Sequence, residues 1–210
     1  MSTRKKRAHR ARRGPEGSQA RQEHLLQSSI AVVGSGGLRG LTHRAVDREA
    51  DLPEGTCSVY FRTRLALLTA LTNFVAAQLT GDVLQMGDAL PEPQPDGDPG
   101  DAIVAAIDML QRWAQDPALM ITMCELALEA ARTPSLRDPI VTWRQHLTDA
   151  VEAIVRRGCR TEPRRRAEAI VASIDGVMLS SLQVTTPTER ATYVRSTVAL
   201  ILQGIVNADT

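Results

Sequence analysis

Apolar residues return at steps of three and four along most of this chain, the period of helices that bury one side. Leu26, Ile30 and Val33 begin the series and predict a helix over about 19–34, closed by Gly34-Ser35-Gly36-Gly37. Thr42 stands as the N-cap of a short helix over about 43–49, with Ala45, Val46 and Ala50 as its packing side, and Asp51-Leu52-Pro53 breaks it. A second short helix is expected over about 54–60. A longer one begins near Thr63 and carries Leu65, Leu68, Leu71, Val75 and Leu79 on one face. The stretch 87–100 is dense in Pro and Gly and reads as a linker. Beyond it come a helix holding Ile103, Ile107, Leu110 and Ala114, and one over about 117–131 with Leu119, Met120, Met123, Ala127 and Ala131. Three more are expected: about 136–157 (Ile140, Trp143, Leu147, Val151, Ile154), about 163–183 (Ile170, Ile174, Val177, Met178, Leu182) and about 188–206 (Ala191, Val194, Val198, Ile201, Ile205). No convincing strand pattern appears, so the class is all-α.

Composition adds three limits. Of the 210 residues 43% are hydrophobic and only 3% aromatic, so the core is aliphatic, which suits helices better than sheets. Net charge is +1, but residues 1–64 hold 13 Lys/Arg against 6 Asp/Glu, and residues 65–210 hold 12 against 18. A basic front at +7 and an acidic remainder at −6 point to a polyanion that meets only the front. Cys57, Cys124 and Cys159 lack paired spacing, which fits a reducing cytoplasm rather than a disulfide framework. No apolar run approaches 18 residues, so no membrane span is expected, and the basic N-terminus lacks the apolar stretch of a signal peptide. Three segments follow: a disordered basic arm over 1–18, a unit of short helices over 19–64 that is the candidate to meet the polyanion, and a helical body over 65–210.

Two short helices joined by a tight turn, behind a basic arm, have the layout of a helix-turn-helix. The run Thr42-His43-Arg44-Ala45-Val46, then Ala50-Asp51-Leu52-Pro53-Glu54-Gly55-Thr56, then Tyr60-Phe61, Arg64 and Leu68, resembles the TetR family DNA-binding domain over about residues 20–70. The family's turn glycine is Asp51 here, a residue that tolerates left-handed backbone better than most. Ser58 replaces the aromatic usual in the recognition helix. The resemblance implies double-stranded DNA as partner, with a palindromic operator. It makes Thr42 the cap of the first motif helix, with His43 and Arg44 where the DNA backbone is contacted. Pro53, Glu54, Gly55 and Thr56 start the recognition helix; Gly55 allows close approach, and Thr56 meets phosphate or a thymine methyl. Glu54 either accepts from a cytosine amine or complements the helix dipole. Ser58 and Tyr60 offer hydroxyls to phosphate, and Arg62 and Arg64 offer charge.

The resemblance also implies that the last two helices pair with their copies in a homodimer, although they can equally cover the chain's own core. It implies a small-molecule effector pocket in the body. Met109, Trp113, Met120, Met123, Cys124 and Trp143 are the candidate lining, or else ordinary core. His9, His24, His43 and His146 are scattered without a metal-ligand spacing, no catalytic constellation can be argued, and neither metal nor cofactor is expected. Arg156-Arg157 and Arg164-Arg165-Arg166 flank a turn and read as solvated. The expected function is a sequence-specific, non-enzymatic regulator, a repressor released by ligand. The alternative is an architectural DNA-binding protein without an effector.

Overall fold

The structure, a computed structural model, describes residues 15–91, 100–158 and 161–208. Among them there are nine helices and no strand: α1 (Pro15–Gly40), α2 (His43–Glu49), α3 (Thr56–Tyr60), α4 (Arg64–Ala89), α5 (Gly100–Ala114), α6 (Pro117–Arg132), α7 (Pro134–Gly158), α8 (Pro163–Ser181) and α9 (Pro187–Asn207). The all-α class stands. Most of the expected arm, residues 1–14, lies outside the described residues, but its last residues are already helical in α1. The linker is shorter than the composition suggested. Residues 87–89 complete α4, Gly100 opens α5, and 92–99 lie outside the described residues.

Local chemistry sets several helix ends. Thr42 Oγ1 accepts from Ala45 N, Thr63 Oγ1 from Ala66 N, and Asp116 Oδ1 from Leu119 N, each satisfying a donor that the first turn leaves orphaned. Pro117, Pro163 and Pro187 stand at the starts of α6, α8 and α9, where the missing N–H costs nothing. Asp51 ends the turn after α2 at φ 51.

The glycine run did not stop α1 where expected. The helix runs through Gly34 and breaks at Gly37, which adopts φ 62, ψ −178, a conformation open essentially to glycine alone. Gly34 serves packing instead. A Cβ there would lie 2.4 Å from the Ala118 Cβ, so α1 and α6 cross with almost no gap. Glu125, further along α6, accepts from Leu38 N at 2.7 Å just past the kink. The α1–α6 crossing is thus fixed at both ends.

The core is aliphatic, as composition required, and one contiguous cluster runs from Leu25 in α1 to Leu202 in α9. Two helix faces are rotated from expectation. In α4, Leu65 is exposed, and Leu67 joins Leu68, Leu71, Val75, Leu79 and Val83 inside. In α6, Leu119, Met120, Thr122, Leu126 and Ala130 face the core, while Ala127 and Ala131 face out. By length and hydropathy α4 also passes as a membrane span, although its sequence has no unbroken apolar run of that length; its apolar side is spent on this core.

Candidate nucleic-acid interface and ligand cavity

The geometry of the α2–α3 pair depends on one side chain that the sequence did not flag. Asp47, on α2, is 1% exposed. Its Oδ2 accepts from Gly55 N and its Oδ1 from Cys57 N, both at 2.7 Å, so one carboxylate holds the N-terminus of α3. Gly55 precedes the helix at φ 90, where an L-side chain would be strained. Cys57 packs inward at 0% exposed, and its thiol is pushed up to about 12 by burial and then by the Asp47 charge. Behind the pair, His24 of α1 donates from Nε2 to Ala50 O at 2.9 Å, tying the end of α2 to the first helix.

The recognition helix is shorter than expected. It starts at Thr56, so Pro53, Glu54 and Gly55 form the turn before it. Thr56 Oγ1 donates to Pro53 O at 2.6 Å and Ser58 Oγ to Gly55 O at 2.8 Å. Exposed Arg44 pairs with exposed Glu54 at 3.0 Å, a surface ion pair of small stabilising value. Arg62 is exposed and makes no ion pair or hydrogen bond among the described residues, Tyr60 is half-buried against the core, and Phe61 is buried.

Two of the expected phosphate contacts, exposed Arg64 and half-buried His43, also bond to carbonyls of the chain itself. The Arg64 guanidinium donates to Leu41 O and, at 2.6 Å, to Leu38 O, capping the carbonyls where α1 ends. His43 Nε2 donates to Phe61 O at 2.6 Å, bridging α2 to the end of α3. Both are occupied because this small unit has several helix ends whose carbonyls need donors. Arg39, Arg44, Arg48, Arg62 and Arg64 are the exposed cations around it, beside the exposed acids Glu49, Asp51 and Glu54.

In the body, α4–α9 enclose a cavity of about 370 Å³, within the usual range for a small-molecule site. Of the six candidate lining residues, Met109, Trp113, Met123 and Trp143 line it. Met120 does not. It is fully buried in the core packing of α6 instead. Cys124 is half-buried and also off the wall; burial raises its thiol, as does the nearby Asp175 charge. The wall is mostly aliphatic, with Leu79, Val83 and Met86 from α4 and Ile170 and Ile174 from α8.

Polar groups are few and mostly spent. Trp113 Nε1 donates to Asp82 at 2.7 Å, whereas Trp143 Nε1 is buried without a partner. Asp175 pairs with Arg144 at 2.5 Å, and burial still raises its carboxyl above the usual range. Arg157 donates to the Gly87, Leu90 and Pro91 carbonyls, pinning the end of α4 beside the cavity. The second arginine run is not wholly a solvated turn either. Arg166 is buried and donates to the Ile205, Val206 and Ala208 carbonyls, capping α9.

A family model described as "Tetracyclin repressor-like, C-terminal domain" matches residues 97–204. Among solved structures, the multidrug binding protein EbrR complexed with imidazole is 28% identical, with TM-score 0.61 over 90% of this chain and 97% of that one. The same protein complexed with proflavin matches with TM-score 0.52 over 86% and 99%. A TetR family member from Streptomyces coelicolor A3 is also 28% identical, with TM-score 0.64 over 86% and 97%. Comparison with curated protein sequences gives no match.

Proposed function

The chain belongs to the tetracyclin repressor-like (TetR) family of transcriptional regulators, and from that premise we propose that it is a homodimeric repressor released from a palindromic operator by a small, mostly apolar molecule. The observation that carries this is the α2–α3 pair: its inner side is locked by Asp47, while the outer side of α3 is left uncovered among exposed arginines. Residues 19–64 form the DNA-binding head and 65–210 the body, with α4 crossing the boundary. Thr42, Arg44, Glu54, Thr56, Ser58, Tyr60 and Arg62 face the operator, with Pro53 and Gly55 shaping the approach. His43 and Arg64 act from behind, as braces. The last two helices, α8 and α9, pair with their copies.

The effector enters the body's cavity, lined by Met109, Trp113, Met123 and Trp143. Support for a small aromatic ligand comes from the two indoles and from EbrR, a 28% identical protein solved with proflavin. Two elements link cavity to head. The α4 helix runs from Arg64 in the head to Met86 on the cavity wall. The α6 helix sets Met123 on that wall and holds α1 through Glu125. A ligand that favours a second arrangement of these helices about 100-fold lowers operator affinity by up to the same factor.

The test is selection of bound duplexes from a random pool at near-physiological salt, followed by a compound screen read by indole fluorescence and operator release. A recovered palindrome, and a compound that weakens binding to it, are the expected results. A pool without preference, bound only at low salt, would replace the regulator with the architectural alternative.

A further inference from the structure

Helix α3 turns about 100° per residue, so Val59 lies about 200° around the helix from Cys57. Cys57 is the inward residue, at 0% exposed, and Val59 is 74% exposed, the most exposed large apolar side chain among the described residues. Its neighbours do not shield it. The Thr56 and Ser58 hydroxyl protons are drawn back to the Pro53 and Gly55 carbonyls. The most exposed apolar feature of α3 is therefore a pair of methyl groups, with exposed Arg62 three residues further along the chain.

A single exposed valine on an ordinary surface calls for no explanation. This one sits opposite the buried side of the recognition helix, where the proposed partner is DNA, and an apolar feature of DNA narrows what it meets. In the DNA major groove that feature is the thymine C5-methyl group. We propose that Val59 is a specificity-determining residue that packs on a thymine methyl, so that each half-site carries thymine at one fixed position. The assignment rests on the reading of α3 as the recognition helix and adds the base it selects.

Deoxyuridine, which pairs as thymine does but lacks the methyl, gives the test. In the operator recovered by selection, each symmetric pair of thymines is replaced by deoxyuridine in turn and the Kd is measured at fixed salt. Burial of one methyl is worth a factor of about four. One symmetric pair should therefore lose roughly tenfold or more with the unaltered protein. Val59→Ala should bind the thymine operator with a comparable loss and be indifferent to deoxyuridine at that pair. Thr56→Ser should keep the sensitivity. Val59 is too exposed for its truncation to disturb folding, and an unchanged melting temperature checks this. A specific operator with no methyl-sensitive position, or one whose sensitivity survives in Val59→Ala, overturns the assignment alone. Failure to recover any specific site overturns it together with the regulator reading.

Discussion

Asp47 is the residue on which the candidate interface turns, because one buried carboxylate supplies both acceptors for the N-terminus of α3. Asp47→Asn keeps the shape but exchanges one acceptor for an N–H, leaving two donors facing each other; it should cost about 1–3 kcal/mol in denaturant unfolding and weaken operator binding more than any single exposed arginine. Equal effects of Asp47→Asn and Arg62→Ala on DNA binding would mean that α3 is held by other means. Cys57 gives a second expectation. Folded, its thiol stays protonated up to about 12, while unfolded it ionises near the ordinary thiol value of 9.0. Its contribution to stability is complete below about 9 and is lost as pH rises from there towards about 12. Peptide mapping after alkylation at pH 8 should find Cys57 protected until the protein unfolds, and Cys57→Ala should flatten the alkaline fall in stability. At this scale the sequence was legible where the chemistry is local. Thr42 caps the residue three ahead of it, and Asp51 occupies the left-handed turn. Asp47 was not legible, because an acid in the middle of a short helix reads as a surface residue until the fold brings Gly55 and Cys57 beneath it.

At the scale of elements, periodicity together with caps and breakers located the helices of the described residues, while their ends and facing depended on neighbours distant in sequence. Gly34-Ser35-Gly36-Gly37 has the composition of a stop, but only Gly37 breaks the helix; Gly34 is needed because Ala118 of α6 lies against it. The one-residue rotation of α6 has the same origin: the crossing with α1 fixes which side faces in, and burying Leu126 in place of the smaller Ala127 carries Ala130 inward with it. Arg64 and Arg166 looked like surface charge and turned out to cap helix ends, since the sequence names a donor but not the carbonyls it meets. The α1–α6 crossing should be intolerant of added volume. Gly34→Ala forces the helices apart and should destabilise by about 1–3 kcal/mol, the usual range for overpacking. Glu125→Ala removes a charge-assisted bond and should cost about 1–3 kcal/mol, whereas Gly36→Ala, with open space around it, should be neutral or slightly stabilising. Thermal unfolding of the three variants ranks them, and a Gly34→Ala protein as stable as Gly36→Ala would show that the crossing adjusts freely.

On the scale of the whole molecule, the separation of charge was readable at once, because it is a sum over residues and needs no geometry. The cavity was readable only in part. Met109, Trp113, Met123 and Trp143 line it, but Met86, Ile174 and Asp175 carry no mark in sequence that separates a wall from a core. The last two helices pose the same question on the outside. Leu179 of α8 is 53% exposed and Leu200 of α9 is 73% exposed. Side chains of this size left outward on adjacent elements fit the proposed pairing of α8 and α9 with their copies, where a two-fold axis brings the same patch against itself. Leu179→Glu with Leu200→Glu places like charges across that axis and should convert the dimer to monomer, seen as a halved mass by sedimentation. Neither side chain belongs to the core, so the melting temperature extrapolated to low protein concentration should hardly move. Operator affinity should fall by far more than either exchange could cause directly, because one recognition helix would then bind without the second. If mass and affinity both stay unchanged, the pairing surface lies elsewhere on the body, and the exposed leucines Leu84 and Leu128 become the next positions to charge.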